Sequence, residues 1–95
     1  MNEQSKFEWD TNKAASNLEK HGVAFDEAQT VFNDPTFITV IDEEHSIDEE
    51  RYITIGMSNR GRLLMVAHTD RSGRIRLISA RKATRREEQF YANAE

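Results

Sequence analysis

Up to Phe32 the apolar residues of this chain recur every three or four positions; from Phe37 to Arg81 they fall in short β-branched runs separated by turn residues. The first spacing is that of helices and the second that of strands, because side chains repeat about every 3.6 residues around a helix and every two along a strand. The first predicted helix opens at Asp10, whose carboxylate can accept from the free N–H groups of the first turn. Trp9 precedes this cap and can staple onto Ala14. Ala14, Ala15 and Leu18 form its narrow apolar stripe, Lys20 and His21 occupy the last turn, and Gly22 ends it. A second helix is predicted from about Phe25 to Phe32, with Phe25, Ala28, Val31 and Phe32 on one face and Asn33-Asp34-Pro35 as its stop. Ala24 gives it a poor cap.

Four strands are predicted at residues 37–41, 51–56, 62–69 and 74–81. Tight loops at 58–61 and 70–73 join the last three, and a longer segment, DEEHSIDEE at 42–50, joins the first two. A last helix starts at Thr84, because Thr84 and Glu87 have capping-box spacing and Phe90 and Tyr91 give it something to bury. The order is α-α-β-β-β-β-α. It predicts an α+β domain, with helices against one face of a four-stranded antiparallel sheet and the other face or an edge left for function.

At 95 residues the chain is predicted to be one domain, residues 1–95. It has no cysteine, which excludes a disulfide scaffold and thiolate metal sites. The N-terminal MNEQSKFEWD lacks an apolar signal region and no apolar run approaches membrane-spanning length, so a cytoplasmic location is expected. The net charge of −4 conceals a division. Residues 1–50 hold 3 Lys and Arg against 13 Asp and Glu, a balance of −10; residues 51–95 hold 10 against 4, a balance of +6. Such asymmetry points to a polyanion or an acidic partner.

Six cations and no acid lie between 74 and 86: Arg74, Arg76, Arg81, Lys82, Arg85 and Arg86. Strict alternation sends Arg74 and Arg76 to one sheet face and Arg81 to the other, unless a bulge intervenes. Arg85 and Arg86 open a helix, where the dipole disfavours them unless an anion binds there. His21 can cap its helix or transfer protons near neutral pH. His68 reads as a partly buried polar residue. His45, among six acids, reads as part of a solvated loop without a metal motif. No serine has nucleophile context, and there is no phosphate-binding glycine loop. The remaining Arg, Lys and His residues suit metal-free cleavage of a phosphodiester by its own 2′-hydroxyl, with cations stabilising the phosphorane charge. A non-enzymatic module that docks nucleic acid or an acidic partner through its basic half is the alternative.

W-D at 9–10, N-L-E-K-H-G at 17–22, F-D-E-A at 25–28, R-Y-I-T-I-G at 51–56 and I-S-A-R-K-A-T-R-R-E at 78–87 together resemble the BrnT family of bacterial type II toxins, over about residues 7–91. The resemblance implies a RelE-like fold and an endoribonuclease, independent of metal and without cofactor, that cuts messenger RNA and halts translation. It implies a BrnA-like ribbon-helix-helix antitoxin, dimeric and carrying two toxin molecules, with which the toxin represses its own operon on operator DNA. The family's motif positions fall on Lys20, His21, Arg51 and Arg81. RelE-like sites vary in their catalytic residues; on these positions we read His21 as base or acid, Lys20 and Arg51 as holding the scissile phosphate and Arg81 as stabilising the transition state, with Arg76, Arg85 and Arg86 following the RNA backbone. The acidic segment 42–50 would repel RNA, so it is expected away from the cleft.

Overall fold

Ile75 donates its N–H to the carbonyl of Lys6 at 2.7 Å, and this contact brings the N-terminal segment into the sheet. The computed structural model describes residues 6–94. In chain order its elements are β1 (Phe7–Glu8), α1 (Thr11–His21), α2 (Phe25–Ala28), β2 (Ile38–Ile41), β3 (Arg51–Met57), β4 (Leu63–Arg71), β5 (Arg74–Lys82) and α3 (Arg85–Asn93). The strands lie in the order β1-β5-β4-β3-β2. Strands β2 to β5 form an antiparallel meander, and β1 runs parallel to β5.

This corrects the expected α-α-β-β-β-β-α order and four-stranded antiparallel sheet. The sheet has five strands and is mixed, and α1 follows a strand. Two residues show no period, so β1 leaves no hydropathy signal. It is held by backbone pairing and by an ion pair of Arg76 with Glu8 at 3.1 Å. Residues 1–5, where the reading of the N-terminus as lacking a secretory signal begins, lie outside the described residues. Among the described residues no helix is long and apolar enough to cross a membrane.

Helix α1 begins and ends as its sequence dictates. Asp10 accepts from the N–H groups of Asn12 and Lys13 at 2.7 and 3.2 Å, and Gly22 adopts φ 70° and donates to Leu18. Its packing differs from the predicted apolar stripe. Ala15 is exposed, Leu18 is half-exposed, and the buried residue is Asn17. The Asn17 carboxamide accepts from the N–H of Ala80 at 3.0 Å and donates to the carbonyls of Ala80 and Val23 at 2.9 Å each. It thereby satisfies the edge of β5 beyond the end of β1, where buried backbone groups would otherwise lack partners.

The core lies between the sheet and the helical half. Val23, Phe25, Ala28 and Val31 pack on Leu64, Val66, Leu77 and Ala80, and Trp9 meets Phe25 edge-on at 5.8 Å. The predicted second helix is α only over Phe25–Ala28 and tightens to a 3₁₀ turn over Gln29–Asn33. That turn presses on β3 at Gly56, where a Cβ would stand 2.8 Å from Val31. At the other end of the chain the Thr84–Glu87 capping box forms as expected. Tyr91 anchors α3 by donating to Asp34 at 2.6 Å.

One irregularity decides which residues share the uncovered face. Between β4 and β5, Ala67 pairs with Ser79 but His68 pairs with Leu77, so Ile78 is an extra residue. Such a bulge reverses the alternation beyond it. Arg74, Arg76, Ser79 and Arg81 therefore all pair with the odd-numbered residues of β4, on the face opposite Leu64, Val66 and the core. Arg81 joins Arg76 instead of opposing it.

Candidate functional site

The uncovered face carries a groove of three adjoining depressions. The first, about 160 Å³, is lined by Lys13, Ser16, Asn17, Lys20, His21, Ile78 and Ser79. The second, about 290 Å³, is lined by Asp42, Glu44, His45, Arg51, Ile53, Met65, Ala67, Ile78, Ser79 and Arg81. They share Ile78 and Ser79, the consecutive residues that the bulge turns outward. The third, about 500 Å³, shares His45 and Arg51 with the second and adds Ile47, Asp48, Glu49 and Arg71. The groove thus brings together Lys20 and His21, Arg51, and Arg81, from three segments far apart in the chain.

Each arrives by a local rule. Lys13, Ser16, Asn17, Lys20 and His21 fall at helical spacing along one side of α1, and Asn17 fixes that side against β5. Arg51 starts β3 and shares the open face with Thr69. No hydrogen bond or ion pair engages the side chains of Lys20, His21 and Arg51 among the described residues. Arg81 is held differently. It donates to both carboxylate oxygens of Glu87 at 2.9 and 3.0 Å and to the carbonyl of Lys82 at 3.1 Å. A guanidinium has about five N–H donors, so Nε and one Nη2 hydrogen remain for a ligand. Glu87 also accepts from the N–H of Thr84 at 2.9 Å, which makes the start of α3 the support for Arg81.

The three residues expected along the RNA backbone divide. Arg85 and Arg86 are exposed in the first turn of α3 and unpaired among the described residues, whereas Arg76 is half-buried against Glu8. The acidic segment 42–50 is not remote from the cleft, as charge repulsion suggested. Its first half forms the groove rim beside Arg51, because Asp42 donates its N–H to the Arg51 carbonyl at 2.8 Å and Ser46 Oγ accepts from the Arg51 N–H at 2.9 Å. The nine-residue spacing hid this, since its ends are adjacent only once β2 and β3 pair.

Two charged networks lie outside the groove and were not anticipated. Buried Glu27 accepts from Arg62 Nη2 and Nε at 2.5 and 3.0 Å and from Ser58 Oγ at 2.7 Å, while Arg62 also donates to the carbonyl of Gly22 at 3.1 Å. The Arg62 guanidinium holds the Glu27 carboxyl below the usual range against the opposing effect of burial. Asp34 accepts from Tyr91, Met57 and Thr36; burial pushes its carboxyl up, but these hydrogen bonds outweigh it and hold it at about 2. His68 is buried mid-strand. Burial pulls its pKa down to about 4 against the opposing field of Asp70, and its Nδ1 has no partner among the described residues. Asp42, Glu44 and His45 place ligand atoms within 4.8 Å of one another, but Nδ1 of His45 is already hydrogen-bonded to Asp42 and the group is open to solvent. We assign no metal ligand there.

The profile of the family described as "Ribonuclease toxin, BrnT, of type II toxin-antitoxin system" matches residues 9–87. The chain belongs to this family. The crystal structure of the Brucella abortus ribonuclease toxin BrnT at 1.1 Å matches with a TM-score of 0.65 at 21% identity, over 86% of this chain and 100% of that one. At that identity the match speaks to the fold. No curated protein matches the chain. As a member of the BrnT family it is a toxin of a type II toxin–antitoxin system, a ribonuclease toxin by family, with an antitoxin as partner.

Proposed function

We propose that this BrnT-family chain is one toxin domain, an endoribonuclease that cuts messenger RNA in the cytoplasm without a metal ion and so inhibits translation. The observation that carries this reading is the convergence of Lys20, His21, Arg51 and Arg81 on two depressions joined at Ile78 and Ser79. The 2′-hydroxyl attacks the adjacent phosphorus, the bond from phosphorus to the 5′-oxygen breaks, and a 2′,3′-cyclic phosphate and a 5′-hydroxyl result. A base takes the 2′-proton and an acid gives one to the leaving oxygen. Lys20 and Arg51 bind the phosphate, and the free N–H groups of Arg81 meet the charge that builds on its oxygens. His21 supplies one proton transfer, and Arg85 and Arg86 hold the flanking backbone. The antitoxin is read as a BrnA-like ribbon-helix-helix dimer carrying two toxin molecules and repressing the operon with them.

The test is cleavage of RNA by the purified toxin freed of its partner, with and without a chelator. Arg51→Ala should lower cleavage about 10²- to 10³-fold, abolish growth arrest and leave the melting temperature unchanged. Binding of RNA with no cleavage by the wild type would leave only a binding module, and loss of cleavage in chelator would refute the metal-free route.

A further inference from the structure

The histidine that looked most incidental in the sequence sits in the groove with the strongest orienting contact. His45 Nδ1 lies 2.8 Å from Asp42 Oδ2, and both residues line the same depression as Arg51 and Arg81. This pair is not on a loose loop. The N–H of His45 donates to the carbonyl of Asp42 at 3.2 Å in a 3₁₀ turn, and Ser46 Oγ donates to the same carbonyl at 2.7 Å while accepting from the N–H of Arg51. The Asp42 side chain is only 16% exposed, whereas that of His45 is 60% exposed. A largely buried carboxylate on a tied turn thus contacts an accessible imidazole in the same depression as Arg51, whose side chain is unpaired among the described residues.

From this juxtaposition we propose that His45 is the general base of the RNA cleavage, oriented by Asp42, and that His21 is the acid across the Ile78–Ser79 saddle. The assignment rests on the ribonuclease reading above. An aspartate that accepts from Nδ1–H leaves the lone pair on Nε2 and stabilises the imidazolium formed when Nε2 takes up a proton. In the reaction Nε2 removes the 2′-hydroxyl proton, O2′ bonds to phosphorus, the bond to O5′ breaks, and His21 protonates O5′. The two histidines end with exchanged protonation, and proton exchange with water resets them. No other reactant is needed. Carboxylates at the rim of an anion site then have a use: Asp42 serves the base, and its side of the groove is left to the 2′-hydroxyl while the phosphate lies toward Arg51 and Arg81.

The experiment is the pH dependence of kcat/KM for the full chain, freed of its partner, on a labelled oligoribonucleotide with one cleavable step. His45→Ala should lower the rate about 10²- to 10⁴-fold, remove the acidic limb of the profile and be partly rescued by added imidazole. Asp42→Asn should lower it less and keep the limb. A His45→Ala rate within a few-fold of wild type would overturn the assignment while leaving the ribonuclease reading intact. A loss that keeps the acidic limb and resists imidazole would also overturn it, as a structural effect. A wild type that does not cut the oligonucleotide would remove the ribonuclease reading and His45's role with it.

Discussion

Beneath α2 and beside α3 the charges are used up within the fold. Glu27 meets Arg62 and Ser58, and Asp34 meets Tyr91, Thr36 and the N–H of Met57. Across the sheet, Lys20, His21 and Arg51 stand in a groove with their side chains unclaimed among the described residues, and Arg81 is held by Glu87 on one side. Both regions carry arginines, Arg62 in the first and Arg51 and Arg81 in the second. What separates them is that a buried charge without a partner is too costly to keep, whereas a partly exposed one can wait for a ligand. The distinction between structure and function therefore lies in the pairing of each cation, and composition does not reveal it.

The sharpest way to break this comparison is at Glu27. Glu27→Ala removes a buried carboxylate and leaves the partly exposed Arg62 and the Ser58 hydroxyl without their shared partner, and should lower the unfolding free energy, measured by urea denaturation. Arg51→Ala, an equal loss of one charge, should leave the same curve unmoved. Replacing Glu27 and Arg62 together by apolar residues should recover much of the loss, because it removes the stranded charge. A Glu27→Ala curve that coincides with that of Arg51→Ala would erase the difference between the two regions.

His68 offers the next largest effect and shows what a period can and cannot tell. Its place in a strand is legible from the run of residues 62–69, and the strand was found where the pattern put it. Its depth was not, because the residues around it come from two other segments, Phe32 from the 3₁₀ turn and Tyr52 and Thr54 from β3. With the pKa held at about 4, below the ordinary 6.5, the neutral ring is the folded form. Its contribution is complete above about pH 6.5 and is lost as the pH falls toward 4, about 3 kcal/mol over that window. Thermal unfolding at pH 7.5 and 4.5 should show this loss in the wild type and a flatter response in His68→Gln. Asp34, held at about 2, should add its own loss only below the ordinary carboxylate range. An unchanged pH response in the variant would mean that His68 is not buried neutral.

The same limit explains the rest of what the sequence withheld. Caps are local, so Asp10, Gly22 and the Thr84–Glu87 box were legible. The bulge at Ile78 depends on pairing with β4, and β1 depends on pairing with β5, so neither could be read from one segment. The groove inherits that dependence. Lys20 and His21 could be picked out by residue type and family resemblance, but their meeting with Arg51 and Arg81 requires the bulge and the Asn17 contact to β5. His45 was passed over because six neighbouring acids look like a solvated loop until Ser46 and Asp42 tie the segment to Arg51.

The smallest effect is expected at Arg85 and Arg86, and it tests whether an unclaimed cation is always catalytic. Both are exposed, and both face the unfavourable end of the α3 dipole. Removing them should not destabilise the fold, and a gain of a few tenths of a kcal/mol is expected from the dipole alone. If they hold flanking phosphates, each removed contact should reduce the slope of log affinity against log salt by about 0.7 for single-stranded RNA. Arg85→Ala together with Arg86→Ala should therefore weaken RNA binding at low salt, bind with a slope shallower by about 1.4, and keep kcat at saturating RNA. A fall in kcat like that of Arg51→Ala would place the start of α3 inside the reacting site, and the boundary would then run between Arg76, which Glu8 retains, and everything beyond Ser79.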